Sequence, residues 1–247
     1  MQPFFKYKLL ESLDEVNVRI DKSGSDDRML TLCCLNVHSF VTAMDDDSFR
    51  LALEECDLLL PDGVGVCWAV KRLNGKKIGK IAGDDIHRHL LNKLNETGGR
   101  VFYMGSSEEV LEKIVNRLSI EYPKVAVETL SPPYCDELND DVSKKIIDRI
   151  NAFKPNVLFV SMTAPKQEKW AWKHAAELKS VGLAASIGAV FEFYAKTKKR
   201  APAWMVRIKC EWLYRLLREP ARIWKRVFVS TPRFVLHIWR AAKQRNN

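Results

Sequence analysis

Six short apolar runs set the rhythm of the chain: Met29 to Val37, Leu58 to Leu60, Val101 to Met104, Val125 to Leu130, Val157 to Met162 and Leu183 to Ile187. Runs of this length, flanked by polar and turn residues, suit buried strands. Between most of them the apolar positions recur every three or four residues, the spacing that gives a helix one apolar face. The clearest case runs from Glu108 to Glu121, where Ser106 and Glu109 read as a capping box at the start. A second helix is expected from about Asp140 to just before Pro155, because a proline disfavours helical geometry at the residue before it, Lys154. A third is expected from Ala164 to Leu178, with Pro165 close to its first turn. Strand alternating with helix predicts an α/β fold, a Rossmann-like and mostly parallel sheet sandwiched by helices.

The pattern changes after Phe193. From Pro202 onward the chain is rich in Trp, Leu, Arg and Lys, and Pro220 and Pro232 divide it into three expected helices, Ala203 to Arg218, Ala221 to Val229 and Arg233 to Lys243. In the first, Trp212, Leu213, Leu216 and Leu217 share one side while Arg207, Lys209, Arg215 and Arg218 spread over much of the rest, a basic amphipathic surface. Charge sharpens the boundary. The formal net charge is +9, yet residues 196–247 carry +13 and residues 1–195 carry −4. The expected organisation is therefore an α/β catalytic core over 1–195 and a basic helical, membrane-associating appendage over 196–247. Such asymmetry points to a polyanionic partner: anionic lipid, nucleic acid or a phosphate-rich substrate.

No stretch reaches the ~18 apolar residues needed to span a bilayer, and Met1 to Leu13 lacks the uninterrupted apolar run of a signal peptide. A cytoplasmic protein peripheral to the inner face of the cell membrane is expected. The six cysteines, Cys33, Cys34, Cys56, Cys67, Cys135 and Cys210, form no C-x-x-C pair and read as reduced thiols.

Ligands of open parallel sheets bind beyond the C-terminal ends of the strands, so the loops just after strands are the places to look for chemistry. Four stand out. Pro61-Asp62-Gly63-Val64-Gly65 offers a carboxylate and two glycines, although Pro-Asp-Gly is also a common turn sequence. Trp68 stands where a third glycine would complete the dinucleotide fingerprint, which lowers the case for an oxidoreductase. Asn36, with His38 nearby, can hold a sugar hydroxyl or a uracil edge. Met162 to Glu168 turns a strand into a helix, where Lys166 and free N–H groups suit a diphosphate and Gln167 a sugar hydroxyl. Gly188 to Phe193 brings another close-approach glycine and Glu192, a second carboxylate or simply an exposed acid. Asp84 after Gly83 is either a site residue or a cap leading into Ile86 to Leu94, and Asp45-Asp46-Asp47 reads as the start of a helix rather than a metal cluster. No P-loop, nucleophile elbow or H-E-x-x-H motif occurs, which removes most support for kinase and hydrolase readings.

In order along the chain, Leu35-Asn36, Pro61-Asp62-Gly63-Val64-Gly65, Ala82-Gly83-Asp84, Ala164-Pro165-Lys166-Gln167-Glu168, Gly188-Ala189-Val190-Phe191, Arg200-Ala201-Pro202 and Glu211 to Leu216 with Glu219-Pro220 resemble the WecG/TagA/CpsF family of bacterial glycosyltransferases. The resemblance implies an inverting, N-acetylmannosaminyltransferase-like hexosyltransferase. It would use a UDP-sugar donor and a polyprenyl-diphosphate-linked saccharide acceptor in surface polysaccharide or cell-wall glycopolymer synthesis. The family's general base falls on Asp62, with Asn36 and Gln167 among its binding residues. The basic tail corresponds to a membrane-docking appendage that turns arginines toward the diphosphate. Two positions depart from the pattern: Cys34 stands where a threonine is frequent, and Lys196 where a glycine is.

With Asp45-Asp46-Asp47 read as a helix start and no convincing D-x-D metal motif, no metal and no cofactor are expected, and charge on the departing UDP falls to Lys166, Arg215, Arg218 and Arg222. Gly63, Gly65, Asp84, Gly188 and Glu192 complete the expected substrate-binding set. Expected partners are the donor, the lipid-linked acceptor and an anionic membrane, with self-association left open. The competing reading is a nucleic-acid-binding protein whose tail contacts phosphate; interleaved tryptophans and an acidic body argue against it.

Overall fold

All six expected strands form and lie side by side in a computed structural model of the protein, which describes residues 7–22, 28–198, 201–202, 205, 207 and 211–245. They are β1 (Leu30–Leu35), β2 (Leu58–Pro61), β3 (Arg100–Gly105), β4 (Ala126–Leu130), β5 (Val157–Ser161) and β6 (Leu183–Ser186). Every pairing is parallel and the order across the sheet is β2-β1-β6-β5-β3-β4.

Parallel strands need crossover connections, and the helices that make them cover both faces. Alternation along each strand divides the core accordingly. Val101, Tyr103, Val157 and Phe159 join one cluster with Ile86, Leu90 and Leu91 of α5 (Gly83–Thr97), Ile114 and Leu118 of α6 (Glu108–Glu121), and Phe191 of α9 (Val190–Tyr194). Their neighbours Phe102, Met104, Leu158 and Val160 point the other way, against Ile146, Ile147 and Ile150 of α7 (Asp140–Phe153) and Trp170 of α8 (Lys166–Lys173). Cys33, Leu35 and Leu59 meet a third cluster from α2 (Val37–Asp45), α3 (Asp47–Glu54) and α4 (Val64–Asn74). A further helix, α1 (Leu13–Lys22), lays Val16 and Ile20 on the first cluster.

The helix ends follow local chemistry, with two adjustments. Asp46 caps α3 by accepting from the Phe49 amide at 2.9 Å, as its acidic run implied. The cap of α6 is Ser107 rather than Ser106: Ser107 accepts from the Val110 amide, whereas Ser106 sits at φ 63° with its amide donated to Ser161 O at 3.0 Å. Ser106 is thus engaged with the neighbouring strand. Helix α8 stops at Lys173, short of the expected Leu178, because the chain tightens into turns about His174, whose carbonyl accepts from both Glu177 and Leu178 amides.

The basic segment holds α10 (Glu211–Arg218), α11 (Pro220–Lys225), a π-helical turn (Arg226–Ser230) and α12 (Thr231–Arg245); the part of the expected first helix over 203–210 lies largely outside the described residues. Pro232 does not separate helices as expected. A proline lacks the N–H that closes a helical turn, and here the π turn absorbs the mismatch: the Thr231 amide and hydroxyl both bond Arg226 O, the hydroxyl at 3.0 Å. Helix α12 then packs into the third cluster through Phe234, Ile238 and Ala242. Phe234 meets Phe40 edge to face at 5.1 Å, and Arg233 grips Asp45 with two bonds at 2.7 and 2.9 Å. Among the described residues no helix is long and apolar enough to cross a membrane.

Candidate active site

Strand β3 leads outward to the edge strand β4, while β5 leads the opposite way to β6. Where neighbouring strands diverge like this, a crevice opens beyond their C-terminal ends. A cavity of about 920 Å³ lies there, lined by the loops after all six strands, including Asn36, Asp62, Ser106, Ser131, Thr163 and Gly188.

Asp62 follows β2 directly, and its amide donates to Leu35 O at 2.8 Å, continuing the β1–β2 ladder by one residue. That bond fixes the backbone from which the carboxylate meets the cavity. Burial pushes the neighbouring Cys34 thiol well up from its ordinary pKa, and the Asp62 and Glu168 carboxylates push it further. Asn36 also lines the cavity while capping α2, its side-chain oxygen accepting from Ser39 N at 3.0 Å. Gly63 and Gly65 do not line it. Gly63 begins α4 at φ 125°, a conformation that favours glycine, and a Cβ on Gly65 would come within 2.5 Å of Val37 Cγ2. Gly65 therefore lets α4 approach α2 closely.

The opposite wall comes from β5, β6 and α8. Gln167 is buried, accepting from Met162 N at 3.2 Å and donating to Glu168 Oε1 at 2.8 Å. Gly188 leaves room for it, since a Cβ there would lie 3.3 Å from Gln167 Oε1. Lys166 donates to Cys135 O at 2.7 Å and sits 5.6 Å from the Tyr134 ring centroid, closing the rim contributed by residues 131–135. Asp84 lines the cavity from the first turn of α5 and pairs with Arg88 at 3.3 Å. Glu192 pairs with Lys198 at 2.7 Å, and Lys198 also reaches Glu219 at 3.4 Å, tying the core to the basic segment.

The model for the Glycosyl transferase WecG/TagA/CpsF family matches residues 3–247. The chain belongs to that family. Among curated proteins it is similar to the N-acetylglucosaminyldiphosphoundecaprenol N-acetyl-beta-D-mannosaminyltransferase of Bacillus subtilis, 31% identical over 207 residues that cover 84% of this chain and 77% of the relative. Proteins of the same name from Bacillus spizizenii and Staphylococcus aureus are 32% and 30% identical over 194 residues, covering 78% of this chain and 72% of each relative.

In this WecG/TagA/CpsF-family chain the arginines of the basic segment are only partly within view. The side chains of Arg215 and Arg222 lie outside the described residues, as do Arg200 and Trp204. Arg218 is exposed and 5.6 Å from the Tyr214 ring, away from the cavity lining. Arg226, in the π turn, lines the cavity instead, as does Lys80. Neither stood out in the sequence. His38 lies outside the lining and bonds Ser230 Oγ at 2.9 Å; burial, and then Arg226, push its pKa down to about 4, so it is a neutral structural contact. Among the described residues no three His, Cys, Asp or Glu side chains are gathered to hold a metal ion.

Two further lining residues also escaped sequence reasoning. Glu168 is only 2% exposed and Ser186, at the end of β6, only 1%. Their Oε2 and Oγ atoms have no hydrogen-bond partner within the protein. Desolvation raises the Glu168 pKa to about 7. Glu168 was visible in the sequence only as the last letter of a motif, with nothing to mark it as buried.

Proposed function

We propose that the chain is an inverting glycosyltransferase that moves a sugar from a UDP-sugar to a polyprenyl-diphosphate-linked saccharide, with Asp62 as general base. The observation that carries this reading is a carboxylate on the first residue after a parallel strand, facing a cavity whose rim also holds Lys80, Lys166 and Arg226. Relatives named for transfer of N-acetylmannosamine to N-acetylglucosaminyldiphosphoundecaprenol supply the acceptor class and the first sugar to try.

In the proposed reaction Asp62 takes the proton from an acceptor hydroxyl as that oxygen attacks the anomeric carbon opposite UDP. General-base assistance of this kind is worth roughly 10²- to 10⁴-fold. The bond to UDP breaks on the far side, and the departing diphosphate needs positive charge, which Lys166 and Arg226, with Arg215 and Arg222 of the basic segment, would supply. Asn36, Gln167, Asp84, Gly188 and Glu192 would position the sugars.

The segment 196–247 would hold this core on the cytoplasmic face of the membrane. Trp212, Leu217, Trp224, Phe228 and Trp239 are all exposed among basic residues, a surface that suits an anionic lipid interface better than nucleic acid. The direct test is Asp62→Asn, with UDP release measured on a short-chain prenyl-diphosphate hexoside. Transfer should fall at least about 10²-fold while UDP-sugar binding stays within a few-fold. Turnover close to the unmodified protein would overturn the assignment.

A further inference from the structure

Asp62 is one of two carboxyl groups that act on Cys34; the other is Glu168. Glu168 is held rigidly from one side. Its Oε1 accepts from Gln167 Nε2, Gln167 accepts from the Met162 amide, and Gly188 leaves the space in which Gln167 sits. The other oxygen, Oε2, is buried at the cavity wall without a protein partner. Ser186 is nearby by topology: it pairs in register with Cys33 of β1 and Val160 of β5, and its hydroxyl oxygen is likewise buried at the cavity and unpartnered within the protein. Two orphaned polar atoms at one wall, on side chains that are both more than nine-tenths buried, call for a ligand, because buried polar groups in folded proteins are almost always satisfied.

The chemistry of the pair narrows what that ligand is. A carboxyl oxygen in a cavity wall that Asp62 shares disfavours phosphate and carboxylate groups, so the diphosphate belongs elsewhere, on the cationic rim. An apolar group would leave both atoms unsatisfied. A hydroxyl fits: its proton goes to Glu168 Oε2, and its oxygen accepts from the Ser186 hydroxyl. We infer that Glu168 and Ser186 form a subsite that holds one ring hydroxyl of a hexose in the cavity that Asp62 also lines, and so positions the reacting sugar. The inference rests on the glycosyltransferase reading above. The same chemistry is offered by the hexose of the donor and by the hexose of the acceptor, and the test separates them.

Glu168→Ala, Glu168→Gln and Ser186→Ala should be compared with the unmodified chain in transfer from UDP-N-acetylmannosamine to a short-chain prenyl-diphosphate N-acetylglucosaminide. The substrates should be intact or carry single deoxy positions on either sugar. Glu168→Ala should lower kcat/KM by about 10- to 100-fold with intact substrates, the range for a lost hydrogen bond to a charged group. Ser186→Ala should lower it less, and Glu168→Gln should recover part of the loss, its oxygen keeping the bond from Gln167 Nε2 while its amide donates to the hydroxyl oxygen, whose proton turns to Ser186 Oγ. With one particular deoxy substrate the penalty of Glu168→Ala should vanish. A deoxy donor behaving so places the subsite on the donor, a deoxy acceptor on the acceptor, and either supports the proposal. Equal penalties across every deoxy substrate, or weakened binding of UDP alone, would reveal a merely structural carboxyl and overturn it. So would unchanged kinetics in Glu168→Ala. Absence of transfer by the unmodified protein would instead strike the reading of function, and the subsite would fall with it.

Discussion

Helices α10 and α12 both expose Trp and Leu side chains, Trp212 and Leu217 on one and Leu236 and Trp239 on the other, yet α12 also places a second apolar face in the core. Helix α12 turns Phe234, Ile238 and Ala242 into the core against α2 and α4. Helix α10 leaves Trp212 and Leu217 at 49% and 75% exposure. An amphipathic pattern therefore declares that an apolar partner exists without saying which. Within one basic segment, one face of α12 finds that partner in the protein, while Trp212 and Leu217 of α10 and Leu236 and Trp239 of α12 stay exposed.

The comparison can be broken most forcefully at Phe234. Replacing this fully buried ring with alanine should cost about 3–5 kcal/mol, read as a lowered unfolding midpoint in urea. A cost below about 1 kcal/mol would mean that α12 is no more part of the core than α10. The matching change on the other side, Trp212→Ala with Leu217→Ala, should leave the midpoint within about 0.5 kcal/mol. It should instead weaken co-flotation with anionic phosphatidylglycerol vesicles by roughly tenfold or more, since each large apolar side chain is worth ~1.5–3 kcal/mol when fully buried. Undiminished flotation would remove α10 from the membrane contact.

The smallest effect lies at the seam between the two regions. His38 has its pKa held down to about 4 in the folded chain, by burial first and Arg226 second. A histidine neutral in the fold but protonated in the unfolded chain contributes stability present above about pH 6.5, which is lost as pH falls toward 4. Its bond to Ser230 joins α2 to the π turn. Between pH 7 and pH 5 the unmodified chain should therefore lose more stability than His38→Asn, measured by thermal unfolding at each pH. Parallel losses would show that the seam does not sense protonation.

Much of the fold could be read from the sequence because both faces of the sheet are covered. Strands such as Val157–Ser161 then appear as unbroken apolar runs, and helices such as α7 as periodic ones. Asp62, Asn36, Lys166, Gln167 and Gly188 were legible as candidates because loops after parallel strands converge on one side. What stayed hidden depended on tertiary placement. Residues 131–135 have no periodicity to flag them as a wall. Arg226, at the start of the π turn, lines the cavity, while Arg218, in a separate helix before Pro220, stays outside its lining. Glu168 looked like any solvated acid in the first turn of a helix, and only the packing of α8 against the sheet makes it buried.

The contact between Asp45 and Arg233 joins residues 188 positions apart, and the Phe40–Phe234 pair beside it spans a similar stretch. On the ribosome, chains are made at about 5–20 residues per second, so α2 waits for many seconds before α12 emerges to cover it. During that interval the apolar surface around Phe40 stays open. The order of synthesis thus makes the nascent chain most vulnerable to aggregation just before its fold completes.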